Sequence, residues 1–68
     1  MDIRDNRADR AVRERAYSLA DSGRFEAAHE VERALVREGW PNAGRVMQGD
    51  YVVQAVHEKC RAARARVH

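Results

Sequence analysis

The sequence contains a single cysteine, Cys60, among its 68 residues. One cysteine excludes a framework of intrachain disulfides, so a domain of this size needs another source of stability. Small domains without such a crosslink are often stabilised by oligomerisation. A lone cysteine is also typical of proteins from a reducing compartment, and we therefore expect a cytoplasmic location.

Long apolar runs are also missing. No stretch approaches the roughly 18 apolar residues of a membrane-spanning helix, and the first ten residues, MDIRDNRADR, lack the apolar segment of a secretory signal. The length fits one domain over residues 1–68, with 1–4 and 67–68 expected to fray. A deep catalytic pocket with separate substrate subsites does not fit this size, so we expect no enzymatic activity.

Helix-breaking residues are few, with four glycines and one proline. Alanine, arginine, glutamate and valine dominate, and this composition favours helices. The glycines at 23, 39 and 49 separate three predicted main helices at about 5–22, 24–38 and 50–66, with a short helix at about 42–48. The sequence therefore predicts an all-α bundle in which the first two helices form an antiparallel hairpin and the last packs across it.

Apolar residues recur at helical spacing in each predicted segment. The inward faces are predicted to be Ala8, Val12, Ala16, Leu19 and Ala20; then Phe25, Ala28, Val31 and Leu35; then Ala43, Val46 and Met47; and finally Val53, Val56, Cys60, Ala63 and Val67. Trp40 is expected to fill the corner between helices. Asp5 or Asn6 is predicted to cap the first helix and Asp50 the last, and Asp9 and Arg13 are spaced for a local ion pair.

Tyr51 and Val52 add apolar surface beside the last of these stripes. The resulting surface is wider than one contact within a small domain covers. We therefore predict that Tyr51, Val52 and Val56 bind a partner protein, which includes a second copy of the chain in a homodimer.

The 13 basic residues exceed the 11 acidic ones by two, and 12 of the 13 are arginine, a bias typical of high-GC bacterial coding. Residues 59–68 carry Lys59, Arg61, Arg64 and Arg66 without an acidic residue. These four side chains suit contacts with nucleic-acid phosphates. The favoured interpretation is a solvated helix end, because cations complement the helix dipole there.

His57 and Cys60 lie three residues apart on the last predicted helix. A zinc site needs three or four protein ligands, and neither His29 nor His68 has a spacing that completes one. A nucleophilic cysteine needs an exposed thiolate, whereas Cys60 falls on the apolar stripe. We therefore predict no metal, no cofactor and no catalytic residue, with Cys60 in the core and His57 exposed.

Residues 19–35, LADSGRFEAAHEVERAL, resemble the turn and second helix of a tetratricopeptide repeat at Gly23, Phe25 and Ala28. Ala34 and Leu35 fall one residue early, and a solenoid needs about three repeats, so we attribute this likeness to helical-hairpin packing.

Residues 16–64 are similar to short bacterial all-helical proteins of unassigned function. The shared features are Ser22–Gly23–Arg24–Phe25, Glu30–Val31–Glu32 with Leu35, Gly39–Trp40, and Cys60 with Ala63–Arg64.

Three functional hypotheses follow. The first is a small protein-protein interaction module that self-associates. The second is a nucleic-acid-binding or regulatory protein that uses the basic C-terminal helix. The third is an inhibitor protein encoded by a phage or plasmid and directed at a larger host machine, which the size and charge permit without a supporting motif.

Overall fold

The structure, a computed structural model, describes the backbone of residues 3–66 and the side chains of residues 8–66. This part of the chain forms four helices: α1 (Ile3–Asp21), α2 (Ala28–Glu38), α3 (Ala43–Val46) and α4 (Asp50–Arg66). The predicted all-α bundle of three main helices and one short helix is confirmed. The fraying predicted for residues 1, 2, 67 and 68, and the inward position of Val67, lie outside the described residues; residues 3 and 4 belong to α1.

Contacts between side chains define how the helices run. Arg15 in the middle of α1 pairs with Glu38 at the end of α2, and Asp9, earlier in α1, bonds to Asn42 just after α2. The chain therefore runs back along α1, and the two helices are antiparallel. The ends of α1 and α4 meet, because Arg66 donates a hydrogen bond to the carbonyl oxygen of Asp21. Of all the helix pairs, α1 and α4 make the most extensive contact, and α2 packs against both.

The core is built from small apolar side chains of all four helices. The buried residues are Val12, Ala16, Ala20, Val31, Leu35, Ala43, Val46, Met47, Val52, Val56, Cys60 and Ala63. Leu35 is the largest side chain among those fully buried, and no polar or charged side chain of the described residues is buried. Because alanine and valine are short, the helices pack closely, and loss of even one buried methyl group weakens the contact.

The beginning of α1 differs from the prediction. The helix starts at Ile3, so Asp5 and Asn6 lie inside it and neither is its N-cap. Ala8 is exposed rather than inward-facing. The core side of α1 therefore begins at Val12 and continues through Ala16 and Ala20, as the apolar spacing predicted.

The beginning of α2 was also predicted wrongly, since residues 24–27 are not helical. Ala27 is extended, with φ −144° and ψ 162°, and acts as an N-cap that makes no side-chain hydrogen bond. Glu30 instead folds back and accepts a hydrogen bond from the backbone N–H of Glu26 at 2.9 Å. Phe25 lies in this non-helical segment and packs against the core. Its inward position was predicted, but it precedes α2 instead of belonging to the apolar face of that helix.

A Schellman motif ends α2 and positions Trp40. Gly39 has φ +97°, and its N–H bonds to the Val36 carbonyl at 3.0 Å while the N–H of Trp40 bonds to the Leu35 carbonyl at 3.2 Å. This arrangement requires a left-handed residue, which favours glycine. The predicted corner position of Trp40 is confirmed, because its partly buried ring packs against the core.

The short helix is held to α1 by Asp9. Its carboxylate accepts two hydrogen bonds from Arg45, at 2.9 and 3.0 Å, and one from Asn42 at 3.1 Å. These donors, Arg45 first, lower the pKa of Asp9. The predicted local pair of Asp9 with Arg13 is therefore replaced by a contact between helices. The helix itself is shorter than the predicted 42–48, although Ala43, Val46 and Met47 are buried as expected.

The N-terminal turn of α4 corrects two further predictions. The helix begins at Asp50, as predicted, but the Asp50 carboxylate lies in its first turn rather than at a preceding cap. Val52 is buried, whereas Val53 is only half-buried. The buried positions 52, 56, 60 and 63 are three or four residues apart and so share one face of the helix.

The uncapped start of α2 predicts a stabilising substitution. Because Ala27 already has an extended conformation, a serine hydroxyl there would accept a hydrogen bond from an N–H of the first turn. We expect Ala27→Ser to raise the free energy of unfolding by about 1 kcal/mol, measured by urea denaturation. The matched control, Ala62→Ser on the exposed side of α4, should lower it by about 0.5 kcal/mol. Equal effects of the two substitutions would contradict this description of α2.

Candidate functional site

The interface predicted on α4 lies only partly at the surface. The side chain of Tyr51 is 80% exposed, but that of Val52 is 8% exposed and that of Val56 is fully buried. Val52 and Val56 belong to the core because their helical spacing aligns them with Cys60. The prediction is therefore corrected for these two valines, and Tyr51 is the member of the set that a partner can reach.

The basic side chains of α4 do not form one free cationic patch. The ammonium of Lys59 lies 5.3 Å from the centroid of the Tyr17 ring, a cation–π contact that joins α4 to α1. Arg64 forms an ion pair with Glu26 at 3.4 Å, and Arg66 donates to the carbonyl oxygen of Asp21. Arg61 is exposed beside Glu58 and two alanines. Three of the four predicted phosphate-binding residues are thus engaged in contacts between parts of the bundle.

His57 and Cys60 lie in different environments. His57 is exposed, whereas Cys60 is fully buried and is a free cysteine. Burial raises the pKa of the Cys60 thiol, and the nearby carboxylate of Glu30 adds to this effect. A nucleophilic or metal-binding cysteine requires the opposite shift. The described residues also contain no group of three or more histidine, cysteine, aspartate or glutamate side chains able to hold a metal ion.

A surface groove lies between α1 and the 24–38 segment. It has a volume of about 480 Å³ and is lined by Arg15, Leu19, Arg24, Phe25, Ala34, Arg37 and Glu38. An adjoining groove of about 290 Å³ shares Arg24, Phe25, Ala34 and Arg37 and adds Glu30 and Arg33. Together the two form a continuous surface, here called the arginine groove, in which apolar side chains lie among guanidinium groups.

The arginines of this groove differ in their contacts. Arg15 is held by Glu38 through its Nε at 3.0 Å and a terminal nitrogen at 2.7 Å. Arg24, Arg33 and Arg37 are all exposed. Within the part of the chain that the structure describes, none of these three side chains forms an ion pair or a side-chain hydrogen bond. Their donors are therefore available to a ligand.

Glu38 lies at the edge of the arginine groove. Besides the three hydrogen bonds from Arg15, its carboxylate accepts one from the indole N–H of Trp40 at 3.0 Å. Arg15, and secondly Trp40, lower the pKa of Glu38 to about 2. The same residue thus joins α1, the end of α2 and the following corner.

The sequence alone predicts only part of this groove. Arg33 and Arg37 lie outside the apolar face predicted for the second helix, and both are exposed. A helix predicted to begin at residue 24 does not show that Arg24 lies near them. The grouping arises because residues 24–27 are not helical and place Arg24 and Phe25 in the same groove as Ala34.

A second exposed apolar residue borders this region. Val36 is 58% exposed and lies with Glu32, Arg33 and Arg37 along a shallow groove of about 280 Å³. Val36 and Tyr51 are the large hydrophobic side chains that the described residues leave exposed. Val36 therefore places apolar surface next to two of the three unpaired arginines.

Comparison with protein-family models, curated proteins and solved structures finds no match to this chain. Within residues 3–66, no helix is long and apolar enough to cross a membrane. The candidate site is therefore defined by its own geometry alone.

The ion pair of Glu38 predicts a specific dependence of stability on pH. A carboxylate whose pKa is lowered from 4.5 to about 2 in the folded state stabilises the fold fully above its ordinary pKa, and this contribution is lost as the pH falls from about 4.5 to 2. We expect wild type to be more stable than Glu38→Gln near neutral pH, with the difference shrinking over this interval in thermal denaturation experiments.

Glu58→Gln serves as the control for this experiment, because Glu58 is exposed and forms no ion pair among the described residues. The stability of the Glu58→Gln variant should follow that of wild type at every pH. A constant difference between wild type and Glu38→Gln from neutral pH down to pH 2 would contradict the proposed role of the carboxylate.

Proposed function

We propose that the chain is a small helical module that binds another protein. The observation that carries this proposal is the arginine groove, where three guanidinium groups without an ion-pair partner among the described residues line the same surface as the partly buried ring of Phe25. Arginine and aromatic side chains are enriched where protein interfaces are strongest. Both kinds of side chain lie on α2 or on the segment that joins it to α1, and a position fixed by the fold lowers the conformational cost of binding.

Binding is favoured over catalysis by the character of the core. The buried side chains are apolar throughout the described residues, and the thiol of Cys60 is held in its protonated form by burial. The polar chemistry lies on open surface, whereas a catalytic group is usually sheltered and tuned by its surroundings. We infer no cofactor for this function.

Self-association is the second candidate. It is supported by the 80% exposure of Tyr51, since a tyrosine supplies contact area from its ring and a hydrogen-bonding hydroxyl. The burial of Val52 and Val56 limits the apolar area around it. A dimer through α4 would therefore rest on Tyr51 and its polar neighbours rather than on the wide apolar stripe inferred from the sequence.

Nucleic-acid binding through Lys59, Arg61, Arg64 and Arg66 receives less support, because three of these side chains contact other parts of the bundle. An inhibitor directed at a larger machine would be a special case of the protein-binding module.

We also propose a bacterial, cytoplasmic setting. The arginine-rich composition supports the bacterial source, and the free thiol of Cys60 supports a reducing compartment.

Photo-crosslinking in cells of the source organism tests the proposal. Val36, Tyr51 and Ala62 are replaced, one at a time, by a photo-reactive phenylalanine derivative in the full chain. Val36 borders the arginine groove, Tyr51 marks the α4 surface, and Ala62 is an exposed control position. We expect position 36 to give a discrete adduct with another protein, identified by mass spectrometry, and position 62 to give none.

The size of the adducts separates the candidates. An adduct from position 51 with twice the mass of the chain would support self-association. Adducts with RNA or DNA alone, or the absence of a discrete adduct from every position, would overturn the protein-binding proposal. Circular dichroism of each variant establishes that the helices are retained.

A further inference from the structure

We propose that Arg24, Arg33 and Arg37 bind a short acidic segment of a partner protein, with an apolar side chain of that segment lying against Phe25. This inference rests on the proposed protein-binding function and specifies the chemistry of the partner. It concerns a surface made by the 24–27 segment and α2, distinct from the Tyr51 surface of α4.

The spacing of the three arginines suits carboxylates on a short peptide. Arg33 and Arg37 lie one turn apart on α2, and side chains at this spacing have Cβ atoms about 5–6 Å apart. Arg24 approaches the same groove from the segment before the helix. A partner helix with acidic residues four positions apart presents the same interval, so two of its carboxylates can meet Arg33 and Arg37 together.

The chemistry of each arginine favours a carboxylate. A guanidinium group is a planar fork that donates two parallel hydrogen bonds to a carboxylate. The pair of Arg15 and Glu38 already shows this geometry at the edge of the same groove. Arg24, Arg33 and Arg37 have no such acidic partner among the described residues, and a ligand would supply it.

The apolar part of the groove would contact an apolar side chain of the partner segment. Phe25 is partly buried against the core together with Leu19, and Ala34 lies in both adjoining grooves. This surface offers contact for one leucine-sized or aromatic side chain. Apolar contact surrounded by charged groups is the usual composition of a protein interface.

The charge of the surrounding segment favours a short acidic peptide over a nucleic acid. Residues 21–38 contain five acidic residues and three arginines, and Glu30 and Glu38 line the groove itself. A long polyanion depends on an extended positive field, which these carboxylates cancel. A peptide with two or three carboxylates needs only the nearby guanidinium groups, because its contacts are made at hydrogen-bonding distance.

Fluorescence anisotropy with labelled peptides tests the inference. The probe is a peptide in which two glutamates, four residues apart, flank a leucine, and the comparison peptide has glutamine at both positions. We expect the full chain to bind the glutamate peptide at least about tenfold more tightly than the glutamine peptide, a difference equivalent to two exposed charge-assisted contacts. The affinity should fall as salt is added.

Variants of the chain identify the residues responsible. Arg33→Gln/Arg37→Gln keeps good helix formers in α2 and should weaken binding of the glutamate peptide by about tenfold or more. Arg61→Gln removes an exposed arginine of α4 and should leave the affinity unchanged. Circular dichroism spectra that match wild type establish that both variants fold.

Further ligands distinguish the sources of negative charge. A single-stranded oligonucleotide and inorganic phosphate are titrated under the same conditions. Binding of the oligonucleotide through Arg33 and Arg37 without binding of the peptide would overturn the inference. Equal affinity for the glutamate and glutamine peptides, or binding that survives Arg33→Gln/Arg37→Gln, would do so as well.

The two proposals fail separately. If position 36 or 51 crosslinks a protein in cells and the adduct persists when Arg33 and Arg37 are replaced by glutamine, the module binds proteins but the acidic-segment inference is wrong. If no protein is crosslinked, the broader proposal fails whatever the peptides do in solution.

Discussion

The close packing of α1 against α4 is the constraint on which the rest of the structure depends. This contact is the most extensive in the bundle, and its buried residues are small: Val12, Ala16 and Ala20 on α1, with Val56, Cys60 and Ala63 on α4. Small side chains allow the helices to approach closely but leave no space for a buried polar group. Leu35 and Phe25 then close the core from the side of α2, and polar chemistry is confined to the surface.

That confinement gives the surface charges two roles. Asp9 with Arg45, Arg15 with Glu38, and Glu26 with Arg64 join separate elements of the chain. Exposed ion pairs contribute little stability individually, so their main effect is to fix the orientation of α2, α3 and the 24–27 segment relative to α1 and α4. Arg24, Arg33 and Arg37 have no such structural partner in the described part of the chain, and they line the same groove as Phe25. The side chains on which the proposed interaction depends are therefore ones that the fold does not pair.

Local patterns in the sequence predicted the helices and most of the core. They did not predict contacts between residues that are distant in the sequence. The spacing of Val12, Ala16, Val31 and Leu35 identified inward faces, and Gly39 identified the end of α2, because both signals act within one or two turns. The start of α2 was missed because Glu30 folds back onto the N–H of Glu26 and Phe25 packs inward. The arginine groove was missed for the same reason, since Arg24 shares a groove with Arg33 and Arg37 through a segment, residues 24–27, that is not helical. The predicted apolar face of the last helix began at Val53 instead of Val52, and this shift of one position assigned the buried Val52 to the interaction surface.

The reactivity of Cys60 toward a thiol reagent tests this account most directly, because the chain has a single cysteine and its side chain is fully buried in the core. The packing described here predicts that native protein is labelled about a hundredfold or more slowly than protein unfolded in urea. It also predicts that the labelling rate rises with low urea concentrations with the same slope as global unfolding. Labelling at the rate of a free thiol, or protection that does not depend on urea, would show that α4 opens independently and would contradict a core shared by α1, α2 and α4.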